Sequence, residues 1–306
     1  MNQSFIFRKL LHLDDLPSGW RPVRVSVDWF GEPLLLLQEG KPPVPSPDSG
    51  VEKWFEWSKI PPKAHHLLYW SDSRRRQVTF EQSTGDATIH IQRFRDGWLL
   101  GDARGGRAVI YDEHGQVRGE MDLGDANEDL QTTSDGRIWV SYFDEGVFGG
   151  GIGSAGMVCF DETGTPIFKY AEFAERHNLP PIFDCYAMNV VNGDEVWLSY
   201  YSAFPLVCIK HFELDRAWME FGCLEGAFAL VNGGIISSKC YTRVHNEPTQ
   251  LFRWTLVNAS QREDLKPLDE FGNVIGSPFE VAARAGSLYL RTDSALYQMH
   301  SQQAIE

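Results

Sequence analysis

Short stretches of alternating apolar and polar residues, each closed by a glycine-containing turn, recur along the whole chain. Alternation at period two marks a strand with one face in a core. Val23-Arg24-Val25-Ser26-Val27 shows it ahead of the turn Gly31-Glu32-Pro33 and the apolar run Leu34 to Leu37. His66 to Trp70 and Gln77 to Phe80 read as another strand pair. Thr88 to Phe94 turns at Asp96-Gly97 into Trp98-Leu99-Leu100, and Ala108 to Tyr111 turns at His114-Gly115 into Gln116 to Met121. Those segments make one antiparallel sheet of four strands in chain order. The clearest hairpin runs from Asp129 to Phe143, turning at Asp135-Gly136 into Ile138-Trp139-Val140-Ser141-Tyr142. A copy spans Asp184 to Tyr201, where Val196-Trp197-Leu198-Ser199-Tyr200 has the same ending.

Taking Gly31, Gly97, Gly136, Gly193, Gly233 and Gly286 as equivalent turns gives six units spaced by 66, 39, 57, 40 and 53 residues. The shorter spacings match the ~40–50 residues of a four-stranded propeller blade. The last unit has room for only three strands, and residues 5–13 can supply the fourth, hiding a sheet edge. The pattern therefore predicts an all-β, six-bladed β-propeller in one domain over residues 1–306, its N-terminal strand closing the last blade. Five or seven blades stay open because of the long first spacing. Two interruptions stand out: a Pro-rich insertion at 39–64 and a Gly-rich loop at 144–156. The first reads as a stiff surface insertion with a polyproline II core. The second reads either as a flap over the channel mouth that carries Phe148 and Ile152 outward, or as a loose surface loop. Ala171 to Asn178 reads as a short helix.

Asp135-Gly136-Arg137-Ile138-Trp139-Val140 followed by Phe160-Asp161-Glu162-Thr163-Gly164 resembles the repeats of NHL-type and two-component-regulator propellers. Asp96-Gly97-Trp98-Leu99 with Tyr111-Asp112-Glu113-His114-Gly115 is the next match. The resemblance implies the propeller architecture over most of the chain and no particular activity.

Composition narrows the picture. A chain with 42% hydrophobic residues and ten Trp needs neither disulfides nor metal to build a core. The net charge of −14 leaves Arg74-Arg75-Arg76 as the compact basic run, so nucleic acid and anionic membranes are not expected partners. Cys159, Cys185, Cys208, Cys223 and Cys240 form no CxxC pair and read as free, buried thiols of a reducing compartment. With no signal-like start and no stretch of ~18 apolar residues, the expected location is cytoplasmic and the expected state a monomer.

The loops on one face of such a propeller bring candidate chemistry together. They carry Glu128, Asp129, Asp144, Glu145, Asp184, Tyr200, Tyr201, Glu225 and Tyr241, an acidic and aromatic surface around the central channel. Carboxylates converging there suit Ca²⁺ or Mg²⁺, with Asp129 and Asp184 as candidate ligands. Asn127-Glu128-Asp129 is a partial match to the Asn-Asp pair of gluconolactonase-like propellers, which hold a divalent metal at the channel mouth. That resemblance implies a metal role for Asp129, with Glu128 standing where those proteins have Asn. His65-His66 cannot chelate one ion from a regular strand, since neighbours point to opposite faces, and a surface or channel role is expected for them. His245 and Cys185 are acid–base or nucleophile candidates, and no Ser/His/Asp spacing supports a triad. The expected function is a non-catalytic binding scaffold whose partner is a small ligand or a protein, a basic one by charge. A divalent-metal-dependent hydrolase or lyase is the alternative.

Overall fold

The computed structural model describes residues 4–40, 64–80, 89–238, 250–257, 262–277 and 279–299. Strand β1 is Ser4–His12. A first sheet holds β2 (Trp20–Val27), β3 (Pro33–Glu39), β4 (His65–Ser71) and β5 (Arg74–Phe80). A second holds β6 (Ile89–Phe94), β7 (Gly97–Asp102), β8 (Arg107–Tyr111) and β9 (Val117–Asp122). The third is β10 (Asn127–Thr132), β11 (Ile138–Tyr142), β12 (Met157–Phe160) and β13 (Pro166–Lys169), with helix α1 (Asp144–Phe148) inserted after β11. Helix α2 (Tyr170–His177) leads to β14 (Asp184–Val190), β15 (Glu195–Tyr201), β16 (Leu206–Lys210) and β17 (Glu213–Trp218). Then come β18 (Phe228–Val231), β19 (Gly234–Ser238), β20 (Leu251–Thr255) and β21 (Arg262–Asp269), and finally β22 (Glu280–Arg284), β23 (Ser287–Arg291) and β24 (Ala295–Met299).

Each group is antiparallel in chain order, and the innermost strands touch in a closed cycle, β2 to β6, β10, β14, β18, β22 and back to β2. This is a β-propeller. The blades stack face to face, so a middle strand has apolar neighbours on both sides. β11 is buried along its whole length, whereas the outer strand β9 is largely exposed. The buried apolar residues fall into clusters at the blade junctions, such as Trp139, Met157 and Phe168 with Val196, Leu198 and Val207.

β1 lies between β21 and β24, parallel to the first and antiparallel to the second. It fills the fourth place beside β22–β24 and joins the last two groups into one eight-stranded sheet. Phe5 and Phe7 enter the core between them.

The Asp-x-x-Gly repeat has a local cause. Asp112 Oδ1 accepts the backbone N–H groups of His114 (3.0 Å) and Gln116 (2.9 Å), and Gly115 takes φ 83°. Asp161 does the same for Thr163 and Thr165 with Gly164 at φ 83°. Asp28 with Gly31 and Asp269 with Gly272 repeat it. The carboxylate replaces two missing backbone partners, and glycine takes the left-handed turn without strain. Backbone hydrogen bonds hold the Asp112 carboxyl below its ordinary range; at Asp161 the Thr163 hydroxyl leads and the backbone N–H groups follow.

Two expectations are corrected here. The Gly-rich run is built structure rather than a loose loop: α1 is followed by a 3-10 turn at Ile152–Ala155. Phe148 does point outward, but Ile152 packs against the cluster containing Leu123 and Tyr142. His65 and His66 lie buried on β4, neither on the surface nor in the channel. His66 stacks on Trp20 at 3.8 Å and bonds Thr79 Oγ1 (2.9 Å) and Glu39 Oε1 (3.2 Å). Most of the Pro-rich insertion, residues 41–63, lies outside the described residues.

Candidate functional site

The channel is a cup rather than a bore. Its floor is made of side chains that tie inner strands together. Gln92 donates to Ser26 Oγ (2.6 Å) and the Val27 carbonyl (3.3 Å). Gln131 donates to the Met188 carbonyl (3.1 Å) and accepts from Val190 N (2.9 Å). Asn189 donates to the Phe228 carbonyl (2.6 Å) and accepts from Ala285 N (2.8 Å). An amide side chain suits this place because it offers a donor and an acceptor to a backbone that needs both.

Arg284 closes the floor. It extends from β22 across the axis and donates from Nε to the Val190 carbonyl (2.9 Å), from Nη1 to Gln92 Oε1 (3.1 Å) and from Nη2 to the Thr132 carbonyl. The residue is 1% exposed. Burial lowers its pKa to about 10, opposed by the charges of Asp28 and Asp129, so it stays cationic at neutral pH.

Above this floor lies a cavity of about 240 Å³. Arg24, His90, Glu128, Asp129, Tyr186, Ser238 and Glu280 are among its lining residues. A regular strand would send Glu128 and Asp129 to opposite sides. β10 has a register shift between Asn127 and Asp129, a bulge that turns both carboxylates toward the cup. β14 has the equivalent shift between Cys185 and Ala187, which presents Tyr186.

Glu128 is exposed to water at the cup wall, with protein packed around its carboxylate. Burial raises its pKa from the ordinary 4.5 to about 7; Asp184 and then Asp129 add to the rise, and Arg24 opposes it. Asp129 is raised by burial too, opposed mainly by the hydrogen bond from Gln131 Nε2 (2.8 Å). Arg24 donates to the Ile89 carbonyl (3.3 Å) and to His90 Nδ1 (3.1 Å). Arginine only donates, so Nδ1 accepts and the ring proton sits on Nε2, aimed at the Asn127 carbonyl 3.4 Å away. Burial first, and Arg24 second, lower the His90 pKa from 6.5 to about 3. His90 therefore contributes stability that is complete above pH 6.5 and is lost as pH falls toward 3.

Glu128 has the opposite sign. The folded chain holds its proton more tightly than the unfolded chain, so ionisation costs stability from about pH 4.5 upward and fully above pH 7. Glu128→Gln is expected to raise the melting temperature at pH 8 and to leave it unchanged at pH 4. Since water screens the group, the gain at pH 8 is about 1 kcal/mol, or roughly 2–3 °C by calorimetry.

The candidate residues separate into groups. Glu128 and Asp129 line the cup, and the charge of Asp184 acts on Glu128. Glu225 lies near Tyr186, whose pKa its charge helps to raise. Asp144 and Glu145 begin α1 outside the cup, where Glu145 pairs with Arg104 at 3.1 Å. Tyr201 is 44% exposed on the same face. Tyr200 is a correction: it is buried, and its hydroxyl bonds Tyr170 Oη (2.6 Å) and the Pro180 carbonyl (3.0 Å). Tyr142, at the matching end of the sister hairpin, is buried in the same way and donates to the Leu123 carbonyl. The repeated Ser-Tyr ending thus anchors loops to blades. Tyr241 and His245 lie outside the described residues. Cys185 is buried and its pKa is raised by burial, which keeps it a protonated core thiol and removes it as a nucleophile candidate.

Among the described residues no group of three or more His, Cys, Asp or Glu side chains is arranged to hold a metal ion. Asp129 already accepts from Leu130 N (2.8 Å) and Gln131. The sequence reading missed Arg24, His90, Tyr186 and Arg284; Arg24, on the clearly alternating Val23–Val27 stretch, was the one with a usable signal.

Residues 157–299, from β12 through β24, match the model of the YxzG family. Comparison with curated proteins gives no match. Among solved structures, a streptogramin B lyase aligns over 98% of both chains at 13% identity with a TM-score of 0.51. A gluconolactonase from Xanthomonas campestris aligns over 98% of both chains at 11% identity and a TM-score of 0.39. The BBS1N chain of a complex with ARL6DN aligns over 99% of this chain and 100% of that one, at 10% identity and a TM-score of 0.44. The likeness to the lyase agrees with the strand order and shows the fold alone: the chain is a β-propeller.

Proposed function

We propose that the protein is a binding propeller whose cup takes a cationic group from its ligand or partner. The observation that carries this reading is Glu128, set by a bulge among Asp129 and Asp184 in a confined space. Arg24 is engaged with His90 and Ile89, so it offsets the three carboxylates only in part. An ammonium or guanidinium entering the cup would let Glu128 ionise and would replace repulsion with attraction. The cavity of about 240 Å³ suits a small amine or one basic side chain.

Calorimetric titration with N-ethylguanidinium at pH 6 and pH 8 tests the reading. Binding requires ionised Glu128, so affinity is expected to rise about tenfold across that interval. In Glu128→Gln the pH dependence should vanish and the affinity fall. Binding that ignores both pH and this substitution would count against the proposal.

The raised carboxyl also favours a second reading, a divalent-metal-dependent hydrolase or lyase, because a group near pH 7 is suited to proton transfer. Thermal stabilisation by Ca²⁺ or Mg²⁺ that disappears in Asp129→Ala would support it.

A further inference from the structure

Five aromatic rings in unbroken contact cross the upper face from its rim to the cup. Phe148 on α1 meets Phe183 with centroids 5.7 Å apart, and Phe183 meets Tyr201 at 6.2 Å. Tyr201 meets Phe204 at 5.4 Å, and Phe204 meets Tyr186 at 6.0 Å. Tyr186 is part of the cup wall. Phe148, Tyr201 and Phe183 are 70%, 44% and 37% exposed, a contiguous apolar strip of the kind that marks interaction sites. Phe204, in the middle of the series, has a left-handed backbone at φ 53°.

Two polar atoms at the cup end lack partners among the described residues. Ser238, 2% exposed, lines the cup with an unpaired Oγ. Glu225 accepts from Cys223 Sγ (2.9 Å) through Oε1, while its buried Oε2 has no donor. Each can accept a hydrogen bond from a donor brought to this end of the cup.

We propose that this face docks an extended segment of a partner protein, with one basic residue in the cup and alternate apolar side chains on the rings. The proposal rests on the cup taking a cationic group and adds what carries that group. Same-side residues of an extended chain lie about 6.6–6.8 Å apart, close to the ring spacings of 5.4–6.2 Å. Charge complements the match: the chain carries −14, and Glu128, Asp129, Asp184 and Glu225 gather at the cup end. Aromatic platforms also attract guanidinium and ammonium groups through their ring faces.

The probe is an acetylated, amidated peptide, Arg-Thr-Leu-Thr-Leu-Thr-Leu-Thr-Arg, titrated calorimetrically beside N-ethylguanidinium. Arginine at both ends lets either chain direction place a guanidinium in the cup. The peptide is expected to bind at least tenfold tighter than N-ethylguanidinium. The double variant Phe148→Ser, Tyr201→Ala, both outside the cup, should remove that gain and leave N-ethylguanidinium binding in place. A peptide no tighter than N-ethylguanidinium, or one indifferent to the ring substitutions, overturns the docking proposal while the cup reading stands. Failure of N-ethylguanidinium itself brings down the cup reading. Ring-dependent binding of spermidine with none of the peptide would assign the strip to a linear polyamine and overturn the proposal as well.

Discussion

Arg284→Met is expected to lower stability by about 3–5 kcal/mol, the range for removing one partner of a buried charged network. The methylene stem is preserved, so the loss comes from polar groups. Without the guanidinium, the Val190 and Thr132 carbonyls and Gln92 Oε1 lose donors in a place walled off by protein. Asp129 and Asp28, whose charges act on Arg284, lose part of their compensation too, Asp28 keeping its ion pair with Arg93. Urea unfolding followed by tryptophan fluorescence measures the effect, and the melting temperature should fall by about 10 °C. Arg284→Lys keeps the charge but cannot address three acceptors from one planar fork, so it should recover only part of the loss. A cost below about 1 kcal/mol for Arg284→Met would show that water takes over those bonds.

The second large effect is expected from the strand shared by two blades. A chain lacking residues 4–13 loses the ladders to β21 and β24 together. It also withdraws Phe5, Phe7 and Leu11 from the core, at about 2–5 kcal/mol for each large side chain. Two open strand edges then face each other across an empty slot, a condition that promotes association. The truncated chain should be recovered mainly as aggregate, and a synthetic peptide of residues 4–13 added during refolding should restore the elution volume of the full chain. Size-exclusion chromatography reads both outcomes. A soluble truncated chain with an unchanged melting temperature would contradict this role for β1.

The fold was legible because its signals are local. Asp112 with Gly115 and Asp161 with Gly164 each build a turn from residues four apart or fewer, and such a turn fixes the strands beside it. The missing strand of the last blade could be placed by counting. The site was only half legible. Glu128 and Asp129 stood out as charges at the head of a hairpin, but the bulge that turns both toward one space leaves no mark in the sequence. Tyr200 and Tyr201 looked alike, and alternation could say only that they face opposite ways. Which side is solvent depends on α2, whose Tyr170 covers Tyr200. Nothing in the sequence distinguishes Arg284, beside the Ala285-Gly286 turn, from an ordinary charge. Its partners are 94, 192 and 152 residues away, so only the closed ring reveals that they converge.

The position of β1 has a consequence in time. Phe7 pairs with Met299, a strand partner made 292 residues later, since 299 − 7 = 292. At about 5–20 residues per second the ribosome takes roughly 15–60 s to cover that distance. Every blade between can form its own hairpins as it emerges, while the earliest strand waits with its amides unpaired and its phenylalanines in water. Closing the propeller then waits for β24 to capture β1, the kind of long-range closure that folds slowly and invites chaperones in the interval.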